Sequence, residues 1–147
     1  MDICITELIT TTGLTNLIVA DSNAPELTPA YTLMGPKVKD IIARSSEAPR
    51  LFHEVITKIR KRYPQTNIFE ADIGGLARSV ANGTLAYSKT GKAVYGKACL
   101  NPPFDLGIGI AEPEFCPNPE DFMFWDAIHP TTSLHKKLAE YIVKEIS

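Results

Sequence analysis

Three stretches of the chain repeat apolar residues at three- and four-residue steps, and two short apolar runs lie between them. Residues 2–12 carry Ile5, Leu8 and Ile9 at helical spacing, diluted by threonines that lower the propensity. Gly13 follows where a helix end needs a residue free to enter the left-handed region. Leu51, Phe52, Val55, Ile56, Ile59 and Tyr63 form one stripe on a helix over 50–63. Pro49 suits the first turn of that helix, and Pro64 forbids its continuation. Leu134, Leu138, Ile142, Val143 and Ile146 predict a C-terminal helix with one buried face, capped by Thr131 or Thr132. The apolar run Leu17-Ile18-Val19-Ala20 predicts a strand buried on both faces, as in a parallel sheet. Asn67 to Ile73 reads as a second strand, broken by Gly74-Gly75, with Leu76 and Val80 suggesting a short helix after it. Residues 21–29 read as a loop at the carboxyl edge of the sheet, where α/β proteins build their sites, and residues 30–49 as helical around 38–43. Residues 82–117 have little periodicity and many Gly and Pro, which predicts a long loop. Helix followed by strand, twice over, predicts an α/β layered domain with a small parallel sheet.

Composition narrows the partners more than the fold. The 147 residues suffice for one domain, and 44% hydrophobic with 22% charged content is that of an ordinary globular chain. A net charge of −2 supplies no attraction toward nucleic acid or an acidic membrane. The one basic cluster, Lys58 to Arg62, closes a predicted helix, where cations complement the helix dipole. No apolar run reaches the roughly 18–20 residues of a membrane span. The N-terminus, Met1-Asp2-Ile3-Cys4, lacks the basic start and apolar core of a signal peptide, and the compartment stays open. Cys99 and Cys116 bracket a Pro/Gly-rich loop and either pair in an oxidising compartment or remain free thiols. Asn82-Gly83-Thr84 fits a glycosylation acceptor, which matters only with secretion.

The chemistry concentrates between Asn118 and Thr131, "NPEDFMFWDAIHPT". Asp126 and His129 stand three residues apart behind an aromatic run and ahead of Pro130. An imidazole, with a reference pKa of about 6.5, takes and returns a proton near neutrality. A carboxylate within reach fixes its tautomer and stabilises the imidazolium. Phe122, Phe124 and Trp125 are placed to wall the pair off from water. The plainer alternative is a tight turn in which Asp126 caps the next helix and His129 is merely exposed. His53 lies beside the stripe of helix 50–63 as a packed or rim histidine, and His135 on the surface of the last helix. The three histidines are scattered and no pair has a zinc-site spacing, so neither a metal nor a cofactor is expected.

The string from Asn118 through Ile142 closely resembles the last block of the GDSL lipases and esterases of the SGNH hydrolase superfamily. That block reads roughly NP-x-x-[YF]-x-F-W-D-x-x-H-P-T and leads into a helix. "LIVADSNAPELTP" at 17–29 resembles the family's mid-domain strand and loop, and "KACL" at 97–100 with "CPNP" at 116–119 resembles the region before its terminal block. The resemblance covers nearly all of residues 1–147, as one partial domain. It implies that Asp126 and His129 are two members of a Ser-His-Asp triad acting on carboxylic or phospholipid acyl esters.

The same resemblance implies a nucleophilic serine from an N-terminal GDS motif and oxyanion donors from a glycine and a GxND asparagine. The chain holds no GDS, GxND or GxSxG. It is therefore expected to match the C-terminal half of an SGNH-type α/β/α domain whose N-terminal half is missing. Ser22, in "VADSNA", follows a strand and an Asp as a nucleophile would, but suits a turn serine bonding its own backbone. Two readings follow: the acid–base half of an ester hydrolase, inactive until complemented, or a silent remnant serving as a binding or structural module. Two strands are marginal alone, so an unpaired strand edge is expected, and with it a protein that self-associates, needs a chain carrying the missing half, or is unstable.

Overall fold

The computed structural model describes residues 1–21, 24–44, 47–101 and 114–146, arranged as an α/β fold with small parallel sheets. Helix α1 (Asp2–Thr12) buries Ile5 and Ile9 and ends at Gly13, whose φ of 67° is left-handed and whose N–H donates to the Ile9 carbonyl at 3.0 Å. Strand β1 (Asn16–Ala20) pairs in parallel with β2 (Asn67–Ala71), Leu17 opposite Ile68 and Val19 opposite Glu70. Between them run a 3₁₀ turn (Pro25–Leu27), α2 (Pro29–Leu33), α3 (Pro36–Arg44) and α4 (Ala48–Arg62).

One core joins these elements. Ile56 and Ile59 of α4 are fully buried against Ile5, Ile9 and Ile68, with Leu17 and Val19 packed alongside. The Arg60 guanidinium donates through Nε and Nη2 to the Ile68 carbonyl at 3.1 and 2.8 Å, pinning α4 to β2. That cation of the basic cluster thus ties helix to strand while staying partly solvated.

The opposite face of β1 departs from expectation. Ile18 is 46% exposed and Ala20 is exposed, so the strand is covered on one side instead of both. The apolar helices α1 and α4 both settle on the Leu17/Val19 face, which leaves Ile18 half-exposed on the other. Strand β2 also stops at Ala71, two residues early. Asp72 there accepts the Gly75 N–H at 2.7 Å and starts α5 (Ile73–Ala81), so the glycine pair lies within the first turn of a helix. A Cβ on Gly75 would stand 2.1 Å from the Asp72 carboxylate, which explains a glycine at that position.

Within 82–117, expected to be a loop, the structure holds β3 (Val94–Ala98), β4 (Leu100–Asn101) and β5 (Glu114–Phe115). Residues 102–113 of that stretch lie outside the described residues. Strand β3 pairs in parallel with β6 (Phe122–Phe124), and β4 antiparallel with β5. Gly96 and Lys97 hide β3 from a propensity reading, because β6 and α2 form it from either side. Thr32 of α2 donates to the Gly96 carbonyl at 3.2 Å. A second core, Leu27, Ala77, Val80, Tyr87, Met123, Phe124 and Leu134, gathers under β6 and α6 (Thr132–Ile146). Only the start of α6 is buried: Leu134 is inside, whereas Val143 and Ile146, expected in its apolar face, are exposed. No helix among the described residues is long and apolar enough to cross a membrane.

Candidate active site

The chain leaves β6, turns through Trp125 to His129 and returns antiparallel, with Phe124 bridged to Pro130. Backbone bonds close the turn: Trp125 N–H to the His129 carbonyl at 2.8 Å and Thr131 N–H to the Met123 carbonyl at 3.0 Å. Inside it, Asp126 Oδ1 accepts the N–H groups of Ile128 (2.9 Å) and His129 (2.7 Å), and Oδ2 lies 2.6 Å from His129 Nδ1. Burial acts to raise the Asp126 carboxyl, but the N–H groups of His129 and Ile128 and the imidazole outweigh it and hold the group below its ordinary value. An ionised Asp126 can only accept, so it draws the hydrogen bond of an Nδ1–H and leaves Nε2 as the basic nitrogen.

The pair is therefore in contact, and Asp126 does not cap α6. Thr131 does, accepting the His135 N–H on its carbonyl at 3.1 Å and lying 3.4 Å from the Leu134 N–H through Oγ1. The aromatic wall takes a different form from the one expected. Phe124 is buried in the core beneath, Trp125 stacks on Phe115 with centroids 5.7 Å apart, and the His129 side chain is 67% exposed against 21% for Asp126. The carboxylate is sheltered and the imidazole is open to an incoming group.

Several supports of the turn went unread in the sequence because their partners lie 31–44 positions away. Tyr87 donates to the Phe122 carbonyl at 2.8 Å and lies 3.0 Å from Thr131 Oγ1, clamping both arms of the turn; burial raises its phenol. Asp121, buried beside them, accepts Ser88 Oγ and Thr90 Oγ1, each at 2.6 Å, and hydrogen bonding, first from Ser88, lowers its carboxyl. The only available signal was the polar cluster Tyr87-Ser88-Lys89-Thr90 within an aperiodic stretch. From below, the Ala30 N–H of α2 donates to the buried Ala127 carbonyl at 2.9 Å. Cys99 and Cys116 are joined in a disulfide, with Cα atoms 4.8 Å apart. The N–H groups of Cys99 and Leu100 donate to the carbonyls of Phe124 and Trp125 at 3.1 and 2.8 Å, so the disulfide abuts the turn. Tyr87→Phe keeps the ring and deletes the clamp; unfolding in denaturant should show a loss of about 1–2 kcal/mol. A loss within experimental error would show that Thr131, which also reaches the Phe122 carbonyl at 2.7 Å, holds the turn alone.

The other candidates lie elsewhere. His53 sits on the rim of a separate cleft, 3.0 Å from a Glu70 carboxylate that Arg60 shares at 3.5 Å. His135 is exposed on α6. Ser22 lies outside the described residues. Among the described residues no group of three His, Cys, Asp or Glu side chains is placed to hold a metal ion.

Two GDSL esterase/lipases of Arabidopsis thaliana are 26% identical to the chain over 93 residues and 27% over 94, covering 60% and 63% of it. Acetylajmalan esterase 2 of Rauvolfia serpentina is 24% identical over 102 residues, covering 65%. The chain carries a GDSL esterase/lipase-like region. That GDSL-like region spans about a quarter of each relative's length, at 24%, 26% and 27% respectively. No family model and no solved structure matches the chain.

Proposed function

We propose that the chain supplies the acid–base half of a GDSL-type ester hydrolase, with His129 as general base and then general acid and Asp126 as its orienting carboxylate. The observation that supports this reading is the Asp126–His129 contact, in a chain that carries a GDSL esterase/lipase-like region. In that role Nε2 removes the proton of a serine hydroxyl as the oxygen attacks an acyl ester carbonyl, and returns it to the departing alcohol. Asp126 stabilises the imidazolium in between. The serine and the oxyanion donors come from a segment carrying the family's N-terminal blocks, in the same polypeptide or in a second chain, completing an SGNH-type domain. Half-exposed Ile18 on β1 supports a contact of that kind. The second reading is a silent binding or structural module.

Mixing the chain with a GDS-bearing N-terminal half of a GDSL esterase, and following p-nitrophenyl acetate, separates the two. The chain alone should stay at background, since an imidazole without a serine and oxyanion hole forfeits most of a triad's acceleration. The mixture should turn over. A mixture that associates yet stays at background would overturn the hydrolase reading and leave the silent module standing.

A further inference from the structure

An apolar pocket of about 360 Å³ opens beside the turn, walled by Pro25, Ala77, Phe124, Ile128, Leu134 and Leu138. Its two wall residues from the turn, Ile128 and Pro130, flank His129 in the chain, and Ile128 is 57% exposed at the rim. Polar groups of two lining residues are already paired. Thr28 Oγ1 donates to the Pro25 carbonyl at 2.7 Å and accepts the Tyr31 N–H at 3.2 Å, while the Gly74 N–H is held by Asp21 at 3.0 Å. A polar ligand would find no free partner in these groups and would lose its hydration. Small residues, Ala24, Gly74 and Ala77, keep the space open where larger side chains would fill it. The volume falls near the low end of the roughly 300–1,000 Å³ of ligand sites.

We propose that this pocket binds the aliphatic acyl chain of a medium-chain ester, with the acyl carbonyl at its mouth beside His129. The assignment rests on the hydrolase reading for what happens to the ester, but not for the binding itself. A methylene chain fits because it is narrow, apolar and flexible, and each buried CH₂ tightens binding roughly fourfold. An acetyl group would leave most of the pocket unfilled, so selectivity for length follows from the volume.

The probe is decanoate, titrated into the 147-residue chain with methyl-labelled Ile and Leu, with acetate as control. Decanoate should shift Ile128, Leu134 and Leu138, and acetate should not. Ala77→Phe fills the pocket and should weaken decanoate at least tenfold. Should that variant fold poorly, Ile128→Glu at the exposed rim sets a charge against the carboxylate and should weaken binding likewise. Shifts confined to Ile18 on the open sheet face, or no saturable shift, would overturn the proposal. So would a complementing chain that covers the same methyls and expels decanoate, since the space would then belong to polypeptide. In the complemented protein, hydrolysis indifferent to acyl length and to Ala77→Phe would sink the pocket while sparing the hydrolase. Saturable decanoate binding without hydrolysis would do the reverse.

Discussion

In the complemented protein, Asp126→Asn should lower ester turnover about 10⁴-fold, as loss of the orienting carboxylate does in other triad hydrolases. The size follows from the proton rather than from lost packing. Asparagine can still accept the Ile128 and His129 N–H groups through Oδ1, so the turn survives. Its amide nitrogen then stands where Oδ2 lay, 2.6 Å from His129 Nδ1, and presents a donor to that nitrogen. The imidazole must accept there, its proton moves to Nε2, and the basic nitrogen no longer faces the serine. His129→Gln removes the base altogether and should lose at least as much. Circular dichroism and thermal unfolding of both variants should stay close to the parent, because the His129 side chain is mostly exposed. Activity within tenfold of the parent for either variant, in a folded complex, would remove the pair from the chemistry.

Breaking the Cys99–Cys116 disulfide should cost the most stability of any single change. The bridge closes a 17-residue separation, for which restriction of the unfolded chain gives about 3 kcal/mol. In a domain of this size that corresponds to a fall in Tm of roughly 10 °C. The loss should also have a local signature. Phe115, next to Cys116, stacks on Trp125, the chain's single tryptophan and the residue before Asp126. The Cys116 N–H also donates to the Cys99 carbonyl at 2.8 Å. Reduction frees this edge, so tryptophan emission should shift to the red at temperatures where far-ultraviolet dichroism is still native. A double Cys99→Ala, Cys116→Ala variant with unchanged Tm would show that the β4–β5 pairing holds without the bridge. Unchanged emission in the reduced protein would show that the stack does too.

What was readable from the chain alone is local in the physical sense. Helices α1, α4 and α6 announce themselves because their apolar spacing and stop signals, Gly13 and Pro64, act within one turn of backbone. The Asp126–His129 contact is readable for the same reason: three residues of tight turn bring carboxylate and imidazole together whatever surrounds them. Tertiary structure decided the rest. The run Leu17 to Ala20 is equally apolar on both sides, and only the siting of α1 and α4 on one face leaves Ile18 exposed. Strand β3 carries Gly96 and Lys97, poor strand residues, and exists through its pairing with β6. Whether Cys99 met Cys116 depended on two strands reaching 4.8 Å between Cα atoms, which spacing along the chain does not encode. Tyr87 was silent for the same reason: its hydroxyl serves Phe122 and Thr131, 35 and 44 positions on, and a contact across that distance is made by the packing of the second core.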